Sequence, residues 1–172
     1  LGNRIKWNPA IKGEEDRKAL LEAVRDGLIE VVATDHAPHT RDEKDAPYTD
    51  APSGGPLLQH RLLMMWELAL QGHFGFERVV QAMCHAPAQR FGVLERGFVR
   101  EGYRADLVLL EAKPTKVLAE DLEYRCGWSP VEGVAFSHSV RGVWINGQTG
   151  YLDGNWGNTG AGQALEFVRA PR

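Results

Sequence analysis

The stretch that decides the fold is LIEVVATDHAPHT, residues 28–40. Its first seven residues are almost continuously apolar and rich in β-branched side chains, which is typical of a strand buried on both faces in a parallel sheet. The strand is predicted to end at Asp35. Residues 36–56 are rich in proline, glycine and charge and show no apolar period, which predicts a long irregular loop. Long loops in compact domains are usually functional.

Helical patterns lie on both sides of this strand. Acidic residues precede an apolar helical spacing over residues 14–24, and Gly27 follows as a C-cap, which predicts a helix of about three turns. A second helix is predicted over residues 58–72, and a third over residues 79–84 that is broken near Pro87. The order of helix, strand, loop and helix is typical of a parallel sheet.

The second half of the chain changes character. Strand-like runs punctuated by glycine occur at residues 107–110, 131–136 and 139–145, and Asn146-Gly147 is a tight-turn signal. These runs predict a small β unit. Residues beyond Tyr151 are rich in glycine and asparagine and are expected to form a weakly ordered tail.

Composition excludes several classes of protein. The 172 residues carry a formal net charge of −3, so no basic field is available for binding a nucleic-acid backbone. No window approaches 18 uninterrupted apolar residues, and the first residues lack a secretory pattern. Cys84 and Cys126 are too few for a disulfide framework and are interpreted as packing thiols. We therefore expect a soluble cytoplasmic protein that binds neither nucleic acid nor membranes.

Asp35 and His39 are the first candidates for chemistry. They follow the carboxyl end of the predicted strand, where active sites form in α/β folds. A carboxylate there can bind a divalent metal and exchange protons with water that the metal has made acidic. Two structural alternatives remain open, because Asp also caps strand ends and helices, and a single histidine is more often structural than a ligand.

Several separate motifs, in the same order, closely resemble those of the dihydroorotases of the cyclic amidohydrolase family. They cover roughly residues 4–155 but only the back part of the family's length. The motifs are KWNPA (6–10), ATDHAPHT (33–40), EK (43–44), APSG (51–54), HAPAQRFG (85–92, with His85 where asparagine is usual), GYRADLV (102–108), GWSP (127–130) and VWING (143–147).

The resemblance implies an α/β fold, the C-terminal part of a TIM-like (β/α)8 barrel followed by part of a small β-sandwich. Residues 1–90 would hold the last barrel strands and helices, 91–155 the C-terminal sandwich strands, and 156–172 a glycine-rich tail. A complete barrel takes about 250 residues. The family's early His-x-His pair, carbamylated lysine, later metal histidines and carboxylate-binding arginine and asparagine have no counterpart here. We therefore expect a fragment that is inactive alone.

The resemblance also implies roles for individual residues. Asp35 would be the catalytic carboxylate and a metal ligand, taking a proton from the attacking hydroxide and passing it to the leaving nitrogen. His39 would donate to the substrate, Asn8 would bind the ring edge, and Pro52 and Gly54 would bring backbone groups to the ring. The rival interpretations are a loop-organising histidine, a turn asparagine and a plain flexible loop. His36 is interpreted either as a residue that supports the metal ligand or as a structural residue.

The function implied is a zinc-dependent dihydroorotase, with one or two zinc ions, acting in pyrimidine biosynthesis. The alternatives are an allantoinase or dihydropyrimidinase of the same superfamily, and a non-catalytic dihydroorotase-like scaffold. The expected partners are a small-molecule substrate, a second copy in a homodimer and, in some assemblies, a transcarbamoylase.

Overall fold

The computed structural model describes residues 1–157 and 160–168, so part of the predicted tail, 158–159 and 169–172, lies outside the described residues. The helices are α1 (Glu14–Arg25), α2 (Arg41–Asp45), α3 (Arg61–Leu70), α4 (Phe76–Val80) and α5 (Ala86–Arg90). The strands are β1 (Leu107–Glu111), β2 (Thr115–Lys116), β3 (Ala135–Phe136), β4 (Ser139–Ile145), β5 (Gln148–Leu152) and β6 (Asn155–Trp156). Among the described residues, no helix has the length and apolar character needed to cross a membrane.

Helix α1 forms where the acidic first turn and the terminal glycine predicted it. The Asp16 side chain accepts from the Gly13 N–H at its start, and Gly27 has a φ of +81° just beyond its end. Its buried Val24 packs with residues of α3 and α4 and of the turn between them in one apolar core, made of Val24, Met65, Ala69, Phe74 and Val79.

The third predicted helix does not break near Pro87, which corrects the sequence interpretation. Helix α4 continues through a π-helical turn, Gln81–His85, directly into α5. The Ala86 N–H donates to the Gln81 carbonyl five residues earlier. In a regular α-helix the ring of Pro87 would clash with the carbonyl of the residue four positions earlier. The wider π-helical turn makes room for this ring.

The second half of the chain forms an antiparallel sheet with strand order β1-β4-β5-β6, and β2 pairs with β3 beside it. Strands β1 and β4 fall where the sequence predicted them, whereas only Ala135–Phe136 of the predicted run 131–136 is a strand. Asn146 and Gly147 join β4 to β5 with φ values of +52° and +78°, as a type I′ hairpin turn requires.

Helix α3 connects the two halves. Its Met65 and Ala69 face the helical core, while Leu63 is buried against Val117 and Phe136 of the β unit. The α3 side chain Glu67 accepts hydrogen bonds from the Ser137 N–H at 3.1 Å and the Ser137 hydroxyl at 2.8 Å, and these bonds hold the pKa of Glu67 below its ordinary value. The sheet is therefore attached to the helices by both apolar and polar contacts.

The described part of the predicted tail returns to the start of the second half. The Leu94 N–H donates to the Glu166 carbonyl and the Val168 N–H to the Gly92 carbonyl. Ala161 is buried and its carbonyl accepts from the Asn146 side chain at 2.6 Å.

The strand predicted over residues 28–34 is absent, which is a second correction. Leu28 is 82% exposed, and the described residues form no ladder with this segment. The Val32 N–H instead donates to the Ala82 carbonyl, and a single parallel bridge joins His36 to Gly55. A sheet needs a paired neighbour for each strand, and residues 28–34 have none in the described part of the chain.

His60 provides a test of the junction between α3 and the β unit. It is 7% exposed, stacks on Phe136 and meets the edge of Tyr124, and its Nδ1 has no hydrogen-bond partner in the described chain. Burial lowers the pKa of His60. The unfolded chain then binds this proton at a higher pH than the folded chain, so stability falls as the pH drops below about 6.5.

We expect His60→Phe to weaken this pH dependence, because phenylalanine keeps the stacked ring without titrating. Urea unfolding at pH 8 and pH 5.5 should show a smaller loss of free energy of unfolding in the variant than in the wild type. Between pH 7.5 and 8.5 the free energy of unfolding should change by the same amount in the variant and in the wild type. Equal losses on acidification would refute the assignment.

Candidate active site

Asp35 lies at the point where the apolar segment enters the loop. Its φ is +46°, a left-handed conformation that aspartate tolerates better than most residues. Its side chain is exposed and makes no hydrogen bond or ion pair with the described residues. The carboxylate is therefore neither a strand-end cap nor a helix cap here, and it is free to act on a ligand.

The residue after Asp35 is anchored to the far side of the loop. His36 Nδ1 accepts the Leu57 N–H at 3.2 Å, and its ring lies 5.4 Å from the Tyr124 ring. The bridge to Gly55 adds a backbone contact. His36 is therefore structural in this region, in agreement with the second of its two interpretations from the sequence.

Two glycines let the loop pack tightly on its neighbours. A Cβ on Gly54, whose φ is +115°, would lie 2.7 Å from the Ala37 carbonyl oxygen. A Cβ on Gly55 would lie 2.7 Å from the Trp7 ring and 3.5 Å from the Trp128 ring. The space beside the loop is thus filled by backbone and indole atoms, and only glycine fits.

Lys44 joins the loop to the N-terminal segment. It is fully buried in α2, and its Nζ donates to the carbonyls of Lys6 at 3.1 Å, Pro52 at 2.8 Å and Gly54 at 2.9 Å. The Gly54 N–H donates in turn to the Lys6 carbonyl at 3.0 Å. Burial lowers the pKa of Lys44, and the positive charge of Lys6 lowers it further.

His39 is held by its backbone. The indole N–H of Trp128, which is 1% exposed, donates to the His39 carbonyl at 2.7 Å. The half-buried imidazole lies 3.8 Å from a Glu43 carboxylate oxygen. Hydrogen bonds from the Thr40 N–H and hydroxyl hold the pKa of Glu43 below its ordinary value, so a negative charge faces His39.

Asn8 is exposed and precedes a cis peptide bond to Pro9. Its neighbour Trp7 packs on Gly55, so Asn8 lies within two residues of the contacts that hold Gly54. Backbone contacts thus bring together the segments that contain Asn8, Asp35, Pro52 and Gly54. The hydrogen bond from Trp128 holds the segment of His39. Their roles in binding and catalysis remain predictions.

Sequence reasoning missed two residues of this arrangement. Lys44 sits in a charged, proline-rich stretch that predicts exposure, and nothing in its spacing signals burial. Trp128 lies in the second half of the sequence, and nothing in its spacing indicates that its N–H reaches the loop of the other half.

The described residues contain no group of three or more histidine, cysteine, aspartate or glutamate side chains that could hold a metal ion. Asp35 offers one free carboxylate, and a zinc site requires about four ligands. The donor set of this part of the chain does not by itself fit a zinc ion.

Comparisons with known proteins place this arrangement in context. The sequence profile of the Amidohydrolase family matches residues 8–150. Over 134 residues the chain is 41% identical to a dihydroorotase of Halobacterium salinarum, covering 77% of the chain and 32% of that protein. It is 36% identical over 154 residues to a dihydroorotase of Clostridium acetobutylicum, covering 88% and 36%. The chain thus spans about a third of the length of the curated relatives it matches.

Solved structures share the fold. A D-hydantoinase (dihydropyrimidinase) from Thermus sp. superposes with a TM-score of 0.89 at 22% identity, covering 96% of the chain and 38% of that structure. An L-hydantoinase (dihydropyrimidinase) from Arthrobacter aurescens superposes with a TM-score of 0.84 at 28% identity, covering 90% and 36%.

The close packing of Gly54 can be tested by adding one methyl group. Gly102 also has a positive φ, +81°, but a Cβ there would meet open space. Gly102→Ala should therefore cost only the backbone strain, about 1–2 kcal/mol. Gly54→Ala should cost about 1–3 kcal/mol more, because its Cβ must displace Ala37. Chemical unfolding measures both, and equal losses would contradict the packing described here.

Proposed function

The chain belongs to the amidohydrolase family, and we propose that it acts as part of a dihydroorotase. Such an enzyme reversibly hydrolyses the cyclic amide of dihydroorotate to N-carbamoyl-L-aspartate. One observation carries the proposal. In a chain 41% identical to a dihydroorotase over 134 residues, the Asp35 carboxylate is exposed without a partner in the described residues, and the next residue, His36, is bridged to Gly55 in the loop that follows Pro52. The activity is proposed for a polypeptide that also contains the rest of the barrel.

Asp35 would exchange the protons of the reaction. It would accept a proton as water adds to the ring amide carbon, and would return that proton to the ring nitrogen as the carbon–nitrogen bond breaks. A carboxylate suits this role because it is anionic at neutral pH and can hold a proton briefly. The exposure of Asp35, whose side chain has no hydrogen-bond partner among the described residues, supports this role.

The other predicted residues would bind the substrate. His39 would donate a hydrogen bond to the substrate carboxylate or ring carbonyl, and Asn8 would offer its amide to the planar ring edge. Pro52 and Gly54 would let the loop approach the ring closely. The anchors of these segments, Trp128 on His39 and Lys44 on the loop, support a preorganised arrangement.

Zinc is part of the proposal. When bound, one or two zinc ions would make a water acidic enough to attack at neutral pH. Asp35 would supply one ligand, and the remaining ligands would have to come from outside the described residues. The association of metal and Asp35 is therefore proposed for the longer polypeptide only.

The finer architecture is proposed as well. Residues 1–90 would complete a TIM-like barrel and residues 91–155 a β-sandwich, with the tail following from residue 156. Exposed apolar side chains support this, since Leu28 and Val99 are 82% and 86% exposed and β1 is largely uncovered.

We also propose a cytoplasmic setting in pyrimidine biosynthesis, a homodimer, and a transcarbamoylase as a further partner.

An assay of the longer polypeptide tests the function. Dihydroorotate should be hydrolysed in preference to allantoin and 5,6-dihydrouracil, because neither rival carries the ring carboxylate that His39 would bind. Preference for either rival would favour an allantoinase or a dihydropyrimidinase, and absence of all three activities would favour a scaffold.

The role of Asp35 has its own test in the same polypeptide. Asp35→Asn should lower kcat/KM by about 10²–10⁴, the usual contribution of a general acid–base group. Asp50→Asn, an exposed carboxylate of the same loop, should leave it unchanged. Equal activity of the two variants would remove Asp35 from the chemistry.

A further inference from the structure

We propose that Lys44 is a positioning residue, whose buried ammonium sets the relative placement of the loop at residues 52–54 and the N-terminal segment at residues 6–8. We call the ammonium and its three acceptors, the carbonyls of Lys6, Pro52 and Gly54, the carbonyl clamp. The inference rests on the proposed function for its kinetic readout, but its structural readout is independent of any substrate.

The geometry of the clamp is complete. An ammonium has three donors, and the three carbonyl oxygens lie 3.1, 2.8 and 2.9 Å from Lys44 Nζ. The side chain is 0% exposed, so water does not compete for these bonds. On folding, the Lys44 ammonium therefore replaces its hydrogen bonds to water with hydrogen bonds to two separate backbone segments.

The charge of Lys44 points away from a purely packing role. Among the described residues, no carboxylate forms an ion pair with it, and the nearby charge that acts on its pKa is the positive charge of Lys6. A buried charge is costly unless polar groups compensate it. An apolar side chain would fill the same space more cheaply, but it would remove the donor to the Pro52 and Gly54 carbonyls and leave the Lys6 carbonyl with the Gly54 N–H alone.

A second lysine, Lys6, holds a neighbouring part of the loop and therefore serves as a control. Lys6 Nζ donates to the carbonyls of Tyr48 and Ala51, each at 2.6 Å. Lys6 thus holds residues 48–51, while Lys44 holds residues 52–54. Lys6 is only half-buried, and the hydrogen bonds of its ammonium go to Tyr48 and Ala51, whereas its own carbonyl is one of the acceptors of Lys44.

The position of the clamp relates it to the site. Gly54 packs on Ala37, two residues after Asp35, and Trp7, next to Asn8, packs on Gly55. Releasing the clamp would therefore move Asn8 and the loop relative to each other without touching Asp35. We expect weaker substrate binding with little change in the chemical step.

The test compares Lys44→Met with Lys6→Met in the longer polypeptide. Hydrogen–deuterium exchange should rise at least tenfold at residues 52–57 in Lys44→Met, and at residues 48–51 in Lys6→Met. For dihydroorotate, Lys44→Met should raise KM about tenfold, which corresponds to about 1.4 kcal/mol of binding free energy, and change kcat less than twofold. Lys44→Cys alkylated with 2-bromoethylamine regains the ammonium and should restore wild-type exchange and KM.

The outcomes separate the two proposals. Unchanged exchange at residues 52–57, an increase spread over the whole chain, or a fall in kcat with unchanged KM overturns the role of Lys44. If Lys44→Met does not fold, Lys44→Gln replaces it under the same criteria. If the wild type does not hydrolyse dihydroorotate, the proposed function fails, and the exchange data alone decide on Lys44.

Discussion

Buried backbone carbonyls need hydrogen-bond donors, and this requirement shapes the segment between Asp35 and Leu57. The segment has almost no ladder pairing in the described chain, so side chains provide the donors. Within this segment Lys44 donates to two carbonyls, Lys6 to two and Trp128 to one, and Lys44 also donates to the Lys6 carbonyl outside it. A loop held in this way keeps a defined shape without being part of a sheet.

Aromatic residues connect the two halves of the chain at this segment. Tyr124 and Trp128 belong to the β half, yet they contact His36 and the His39 backbone in the helical half. Helix α3 adds buried contacts on both sides. The candidate site therefore lies where the halves meet.

The sequence correctly predicted the elements that are determined by interactions between residues close together in the chain. Helix α1 follows from its acidic first turn and terminal glycine, and the β4–β5 hairpin follows from Asn146-Gly147. The strand at residues 28–34 failed because strand formation depends on partners that a local pattern cannot supply. Pro87 failed as a helix breaker because the neighbouring π-turn accommodates it.

For the site, the sequence predicted the segments but not how they are held. The DHAPH motif located Asp35 and His39, and the family resemblance added Asn8, Pro52 and Gly54. Burial of Lys44 depends on three carbonyls from distant positions, one of them 38 residues away, which spacing does not encode.

Catalysis as proposed requires the Asp35 carboxylate to lie at the reacting centre. Anomalous diffraction at the zinc edge, from crystals of the longer polypeptide grown with zinc, tests it most directly. A zinc ion should lie about 2.0–2.2 Å from a carboxylate oxygen of Asp35. Zinc bound elsewhere, with the Asp35 side chain turned to solvent, would contradict it.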